Sequence, residues 1–194
     1  MFDIILASKS KVRLDILNKN NVICSAKPSN VDEDEIKISM LKDGASPKDV
    51  SKNLAEIKAN KVSQNNLDKI VIGADSVIDL ENEIISKPKN RSEALEILRK
   101  LNGKTHFLIS SVCISKNGSM IWHYTDKAEL KMKTMTEDEL KIYLSKIEDE
   151  KLYAYNVYQI EGEGKNLFNS IKGDMDTIMG LPIKKIKEYL SNLK

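Results

Sequence analysis

The stretch KIVIGAD (69–75) predicts the central strand of the molecule, because it is a run of β-branched residues that ends in Gly-Ala-Asp. The residues that follow, SVIDLENEIIS (76–86), predict a hairpin with its turn in the polar residues 79–83. Asp75, at the end of an apolar strand, is expected at the carboxyl edge of a sheet, where α/β folds open their ligand crevice. It could activate water, bind a divalent cation, or both. An Asx turn that starts the hairpin is the alternative interpretation.

The chain before this strand alternates between short strands and helices. Ser10 predicts a helix cap, and Pro47 predicts the start of a longer helix. The predicted elements are strands at 2–6 and 22–26, and helices at 10–18, 36–41 and 47–63.

Hairpins dominate the middle of the chain. Asn117-Gly118 joins two alternating segments, and Asn-Gly between such segments is the strongest short hairpin signal. The predicted elements are helices at 91–101, 136–146 and 182–193, strands at 106–116 and 119–133, and a strand at 158–162 that stops at a turn. This order predicts a single α/β domain over residues 1–194, with a mixed, twisted β-sheet flanked by helices and two lobes around a cleft.

Composition excludes several classes of function. The charges of the 31 basic and 29 acidic residues nearly cancel, so we expect no nucleic-acid partner. His106 and His123 are too few for a multi-histidine metal site, and Cys24 and Cys113 match no metal spacing and are predicted to be buried free thiols. No segment reaches the roughly 18 apolar residues of a membrane helix, and the start lacks a signal-peptide pattern. We therefore expect a cytoplasmic protein without a membrane partner.

The stretch LASKSKVR (6–13) has two interpretations. A helix N-terminus binds anions through its backbone N–H groups, and Ser8 and Ser10 add hydroxyl groups. Arg13 lies one turn into the predicted helix, where its guanidinium can reach a phosphate. The alternative is a serine-capped helix start with ordinary surface charge.

Seven short motifs, in this order along the chain, resemble the pattern of the Maf family, also called septum formation proteins or nucleoside triphosphate pyrophosphatases. The motifs are LAS-x-S-x-x-R (6–13), Asp32-Glu33, LA-x-x-KA (54–59), GAD-S/T-V (73–77), Lys87-Pro88, LNGKTH (101–106) and GLP (180–182). Each motif alone is unspecific, but the ordered set extends over essentially the whole chain and identifies it as a member with a Maf/Ham1-like fold.

The resemblance implies hydrolysis between the α- and β-phosphates of a nucleoside triphosphate, with a divalent cation, Mg²⁺ or Mn²⁺. It implies Asp75 as the general base, and Glu33 with Asp75 as the metal-binding pair. The residues that it implies for triphosphate binding are Ser8, Ser10, Arg13, Lys58 and Lys87. Ser76 and Glu161 stand where family members select the base, and relatives suggest a homodimer.

Three departures from the family pattern concern the site. Val12 stands where an arginine is common, and Ala154 and Asn156 replace a lysine and a glycine. Glu161 replaces the glutamine of members that act on pyrimidine triphosphates. Because a carboxylate only accepts hydrogen bonds, it fits the N–H donors of a guanine edge, and the resemblance implies the same because Glu is seen here in relatives that prefer 7-methyl-GTP. The lost Arg and Lys leave an alternative function: a nucleotide-sensing or cell-division regulatory module with little catalytic turnover.

Overall fold

The computed structural model describes residues 3–193, except for the side chains of residues 154 and 155. The part of the predicted first strand on Phe2 and the substitution at Ala154 thus lie outside the described residues. The elements are β1 (Ile4–Leu6), α1 (Lys11–Lys19), β2 (Ser25–Ala26), α2 (Glu33–Lys42), α3 (Pro47–Gln64), β3 (Ile70–Leu80), β4 (Glu83–Ile85), α4 (Arg91–Leu101), β5 (Thr105–Lys116), β6 (Ser119–Met132), α5 (Glu137–Ser145), α6 (Asp149–Tyr155), a 3-10 helix (Glu163–Leu167), β7 (Phe168–Lys172), α7 (Met175–Ile178) and α8 (Ile183–Asn192).

Within residues 3–193 the strands form one mixed sheet, in the order β2-β1-β3-β5-β6-β7, with β4 paired to β3. β1 is parallel to both of its neighbours, and Ile5 lies opposite Val71 of β3. β4 is antiparallel to β3, and β7 is antiparallel to β6. The predicted α/β fold with a mixed sheet and flanking helices is confirmed.

The chain divides into two compact units, which are described separately. Unit 1 comprises Met1–Val77, Ile109–Lys127 and Asp174–Lys194. Unit 2 comprises Ile78–Leu108 and Ala128–Gly173. Strands β3, β5 and β6 each contribute residues to both units.

In unit 1, successive residues of β3 face two different helix layers, as the period of a strand requires. Ile72 shares a core cluster with Leu17 of α1 and Ile186 of α8. Val71, one residue earlier, packs with Val62 of α3. The sheet of unit 1 is therefore covered by α1 and α8 on one face and by α3 on the other.

Gly73 allows α3 to lie unusually close to β3. A Cβ atom at this position would be 2.2 Å from the backbone oxygen of Ala55 and 2.7 Å from the backbone nitrogen of Ala59. Only glycine fits such a contact. Because side chains alternate along a strand, Asp75 points to the same side as Gly73, towards α3.

Unit 2 joins α4 to α5 and contains a buried aromatic cluster. Arg99 of α4 forms an ion pair with Glu137 of α5. The His106 Nε2 atom lies 2.8 Å from the hydroxyl oxygen of Tyr158, and the rings of Tyr158 and Phe168 meet edge to face at 4.9 Å. Among the helices of residues 3–193, none combines the length and the apolar character that a membrane crossing requires.

Local capping and turn signals are confirmed where they are strongest. Helix α4 runs over the predicted residues 91–101. Thr136 and Glu139 form the predicted reciprocal cap of α5. Asn117 and Gly118 adopt φ values of 51° and 83°, which the predicted turn between β5 and β6 requires.

Two predictions about strand ends are wrong. The predicted hairpin at 76–86 is confirmed by the antiparallel pair of β3 and β4, but the strand that carries Asp75 does not end there and continues to Leu80. Asp75 therefore lies in the middle of a strand. Residues 158–162 are not a strand, because the Gly162 N–H group donates to the carbonyl of Gln159 (3.0 Å) and closes a turn.

Both cysteines are free thiols, as predicted, although Cys24 is only partly buried. Burial raises the pKa of the Cys113 thiol to about 12. Cys113 therefore stays protonated near neutral pH and behaves as a small apolar core residue.

Candidate active site

The loop between β1 and α1 carries two serines whose oxygens accept backbone hydrogen bonds. The Ser10 Oγ atom accepts from the N–H of Arg13 (3.3 Å) and caps α1, as predicted. The Ser8 Oγ atom accepts from the N–H of Ser10 (3.1 Å). Because each oxygen accepts in these bonds, each hydroxyl keeps its own proton for donation.

The guanidinium group of Arg13 is directed into unit 1. Its Nε atom donates to the carbonyl of Gly180 (2.9 Å), Nη1 donates to the carbonyl of Ala74 (3.0 Å), and Nη2 donates to the Ser76 hydroxyl (3.1 Å). Burial lowers the pKa of Arg13, and the nearby charge of Asp75 opposes that shift. These bonds use three of the five N–H groups of a guanidinium, so two can point to another ligand.

Lys58 joins two carboxylates from different elements. It lies on the buried face of α3 and is 4% exposed. Its Nζ atom is 2.8 Å from Oδ1 of Asp75 and 2.9 Å from Oε1 of Glu33. Asp75 is also 4% exposed, and its Oδ2 atom has no hydrogen-bond partner among the described residues. A buried carboxylate oxygen therefore remains available beside a lysine.

Glu33 owes its position to the start of α2. Asp32 caps this helix by accepting the N–H of Glu35 (3.0 Å), so Glu33 stands in the first turn, where the helix dipole favours an acidic side chain. Burial alone raises the pKa of Glu33, but the charge and hydrogen bond of Lys58, with help from Lys37, outweigh it. The net result is a lowered pKa, so Glu33 is ionised near neutral pH.

The carboxylate pair fits a divalent cation that binds together with a phosphate. The described residues contain no group of three or more His, Cys, Asp or Glu side chains that could hold a metal. Mg²⁺, however, is commonly held by one or two carboxylates, water and substrate phosphates. The unpartnered Oδ2 atom of Asp75 and the adjacent Glu33 are consistent with such a site.

Lys87 and Glu161 lie in unit 2 and are described by themselves. Lys87 is exposed and precedes the buried Pro88. Glu161 is exposed, and its Oε1 atom accepts from the side-chain amide of Gln159 (3.1 Å). Gln159 and Gly162, on either side of it, line a cavity of about 310 Å³. The other seven predicted site residues all belong to unit 1.

Sequence reasoning missed two polar residues that contact this site. The Ser51 hydroxyl donates to the backbone carbonyl of Asp75 (3.1 Å). The Ser110 Oγ atom lies 2.8 Å from that of Ser76, and it donates to the carbonyl of Thr177 (2.7 Å). The only sequence signal is a small polar residue at a buried position, and that signal does not reveal the partner.

Comparison with known proteins finds relatives along the whole chain. The family model described as Maf-like protein matches residues 3–193. A nucleoside triphosphate pyrophosphatase of Pelagibacter ubique (strain HTCC1062) is 67% identical over 192 residues, which cover 99% of this chain and 98% of the relative. A 7-methyl-GTP pyrophosphatase of Rhizobium etli is 37% identical over 190 residues, 98% and 96% of the two chains. Among solved structures, a nucleoside-triphosphatase / dITP/XTP pyrophosphatase of Mycobacterium abscessus aligns with a TM-score of 0.47 at 12% identity, over 98% of this chain and 94% of that one.

Proposed function

We infer that this chain, which belongs to the Maf-like protein family, hydrolyses nucleoside triphosphates to a nucleoside monophosphate and pyrophosphate. The observation that carries this conclusion is the 67% identity, over 99% of the chain, with a nucleoside triphosphate pyrophosphatase. The chain is a hydrolase of nucleotide metabolism. The roles of its residues are proposed below from the contacts described above.

Asp75 is the proposed general base. Lys58 holds its Oδ1 atom, which fixes the carboxylate, while the unpartnered Oδ2 atom can orient and deprotonate the attacking water. A divalent cation, Mg²⁺ or Mn²⁺, bound by Glu33 and Asp75 would neutralise charge on the phosphate oxygens. The lone Oδ2 atom in a buried position supports this assignment.

Cationic and hydroxyl groups around these carboxylates are proposed to hold the triphosphate. Two carboxylates alone would repel a polyanion, so binding requires compensating positive charge. The N-terminus of α1 presents the positive end of its dipole, and two N–H groups of Arg13 can point to a phosphate. In unit 1 the proposed triphosphate-binding residues are Ser8, Ser10, Arg13 and Lys58; the assignment of Lys87, in unit 2, rests on the family pattern alone.

Identification of the products tests the reaction. The protein is incubated with GTP, 7-methyl-GTP, UTP and dTTP in the presence of Mg²⁺ or Mn²⁺, and phosphorus NMR follows the products. We expect a monophosphate and pyrophosphate. A diphosphate with orthophosphate would contradict the proposal, and the release of no product would favour the nucleotide-sensing module instead.

The proposed base preference is for guanine of the 7-methyl-GTP type. Glu161 accepts hydrogen bonds only, it is exposed, and its neighbours line the cavity in unit 2. The relative at 37% identity is named a 7-methyl-GTP pyrophosphatase. These observations support a carboxylate that receives the two N–H donors of a guanine edge.

Glu161→Gln tests this preference, with Glu150→Gln as the control because Glu150 is an exposed glutamate of unit 2 that is not among the residues lining the cavity. In Glu161→Gln we expect kcat/KM for 7-methyl-GTP to fall about tenfold more than kcat/KM for UTP, since the amide loses one acceptor. Glu150→Gln should leave the ratio unchanged. An equal loss on both substrates would remove Glu161 from base selection.

We also propose that the chain acts as one catalytic domain in the cytoplasm, as a homodimer. The support is the family model, which spans residues 3–193, and the resemblance stated above. Sedimentation equilibrium at micromolar concentration should give twice the chain mass of 21.9 kDa. The mass of a monomer would contradict the dimer.

A further inference from the structure

A chain of hydrogen bonds runs from Arg13 into the core of unit 1. Arg13 Nη2 donates to the Ser76 oxygen (3.1 Å), the hydroxyls of Ser76 and Ser110 are 2.8 Å apart, and Ser110 donates to the carbonyl of Thr177 (2.7 Å). Ser110 is 0% exposed. Neither Ser110 nor Thr177 has been given a role so far.

The chemistry of these groups allows only one donor-to-acceptor direction along this series of hydrogen bonds. A carbonyl only accepts, so the one hydroxyl proton of Ser110 is committed to Thr177. Ser76 must therefore donate its own proton to Ser110. The Ser76 oxygen is then left to accept from the guanidinium of Arg13.

Both ends of this series of hydrogen bonds, Thr177 and Arg13, are held in place by neighbouring groups. The Thr177 hydroxyl donates to the Asp126 carboxylate (2.7 Å), which holds the segment that supplies the terminal carbonyl. At the other end, Arg13 Nε donates to Gly180, where a Cβ atom would lie 3.1 Å from the Ser76 oxygen. The guanidinium is thus held by several hydrogen bonds before any substrate binds.

We propose that Ser110 is a positioning residue, which acts through Ser76 to fix the orientation of Arg13 towards a phosphate group. This inference deepens the proposed function and rests on it. Ser76 then supports the phosphate ligand. The hydroxyl proton of Ser76 is already donated to Ser110, so Ser76 could donate to a nucleobase only if this series of hydrogen bonds were disrupted.

The two roles of Ser76 differ in what they predict for a ligand without a base. A residue that reads the base does not affect the binding of inorganic pyrophosphate. A residue that orients Arg13 affects that binding as much as it affects the binding of a nucleotide. Inorganic pyrophosphate is therefore the probe that separates the two roles.

The experiment measures the binding of inorganic pyrophosphate, with Mg²⁺, to the full chain by titration calorimetry. We expect Ser76→Ala and Ser110→Ala each to raise Kd about five- to tenfold, because each variant leaves the Arg13 guanidinium less well oriented. The matched control is Ser111→Ala. Ser111 is the next residue of β5, it is equally buried, and its hydroxyl pairs with Thr125 instead (2.9 Å). Ser111→Ala should change Kd less than twofold.

A second arm tests whether the effect passes through Arg13. In an Arg13→Lys background, Ser110→Ala should add less than a twofold change, since the group that it orients is gone. Ser110→Thr, which keeps the hydroxyl, should restore most of the affinity, and Ser76→Ala gives a readout if Ser110→Ala does not fold.

Three results would each overturn the proposal. They are wild-type affinity for pyrophosphate in Ser76→Ala, no measurable affinity in the wild type, and a full Ser110→Ala effect in the Arg13→Lys background. The proposed function fails separately, when the wild type releases no pyrophosphate from any triphosphate.

Discussion

At the scale of single residues, the site depends on a lysine that compensates buried carboxylate charge. Lys58 touches both Asp75 and Glu33, and the lysine and the aspartate are each 4% exposed. A buried ion pair adds little net stability relative to apolar residues, but the loss of one partner leaves the other charge uncompensated. Loss of Lys58 therefore removes the ion-pair partner of Asp75 and of Glu33.

Lys58→Met removes this charge while it keeps a side chain of similar length. We expect the free energy of unfolding at pH 7 to fall by about 3 kcal/mol, the cost of breaking a buried pair. Urea denaturation measures the loss. Mn²⁺ should raise Tm more in this variant than in the wild type, because the cation replaces the missing charge between the carboxylates.

The control for this prediction is Lys61→Met, on the same helix. Lys61 is exposed and donates to the carbonyl of Asn30 (2.8 Å). Its replacement should cost less than about 0.5 kcal/mol, as surface substitutions usually do. Equal losses in the two variants would contradict the compensating role of Lys58.

His106 in unit 2 is a buried titratable residue with a separate consequence. It is 0% exposed, its Nε2 atom is bonded to Tyr158, and burial lowers its pKa from 6.5 to about 4. The unfolded chain therefore binds a proton at His106 between pH 6.5 and 4, and the folded chain does not. Stability should fall as the pH is lowered through this window.

His106→Gln removes the titration and keeps a side chain that can bond to Tyr158. Between pH 7 and 4 the wild type should lose about 3 kcal/mol more unfolding free energy than His106→Gln, because the shift from 6.5 to about 4 corresponds to that amount. Urea denaturation over a pH series measures both proteins, and the other titrating groups cancel in the difference. Parallel pH profiles would show that His106 is not buried in its neutral form.

At the scale of elements, the contact between α3 and β3 places Lys58 beside Asp75. Gly73 makes this contact possible, since a Cβ there would meet the backbone of α3 at 2.2 Å. A backbone atom cannot move aside as a flexible side chain can. The whole helix, and Lys58 with it, must shift to accommodate a larger residue.

Gly73→Ala should therefore destabilise the protein by more than about 2 kcal/mol and reduce pyrophosphate release. Gly162→Ala is the control, because a Cβ at Gly162 would be 3.7 Å from its nearest neighbour, an ordinary contact. We expect that variant to stay within about 0.5 kcal/mol of the wild type in urea denaturation. Similar losses in both variants would contradict the importance of the close helix approach.

The predictable part of the fold comes from local signals. Ser10 caps the helix that begins at the next residue by accepting the N–H group of Arg13, and Asn117-Gly118 sets a turn by its own backbone conformation. The hairpin of β3 and β4 was predictable from residues 76–86, but the position of Asp75 inside its first strand was not, because Gly-Ala-Asp is typical of a strand end. The false strand at 158–162 had a convincing pattern, but a turn bond to Gln159 prevents it.

The members of the candidate site are those that the family pattern implies, and their contacts could not be predicted from that pattern. The family pattern names Arg13, yet its three bonds reach residues between 61 and 167 positions away. The sequence does not distinguish a guanidinium that bonds to protein acceptors from one that points to solvent. Ser110 belongs to no motif of the pattern, and only the packing of its strand beside Ser76 reveals it.

At the scale of the whole molecule, the positive charge that attracts a polyanionic substrate must be concentrated at the site. The formal net charge is only +2, from 31 basic and 29 acidic residues. An electrostatic potential of several kT can still arise where a few cations surround a site. Arg13 and Lys58 in unit 1 carry positive charge beside the carboxylates, and these are the groups proposed to attract the triphosphate.

The most direct test of the account compares two aspartates of one strand. Asp75 and Asp79 both lie in β3, and Asp79 accepts the N–H of Asn82 (2.9 Å) in the turn after the strand. Each is replaced by asparagine, which keeps the shape of the side chain and removes the charge, and the rate of pyrophosphate release from the preferred triphosphate is measured with Mg²⁺. We predict a loss of at least about 100-fold for Asp75→Asn, typical for removal of a general base, and a change of less than about threefold for Asp79→Asn. Pyrophosphate release by Asp75→Asn at a rate near that of the wild type would contradict the account.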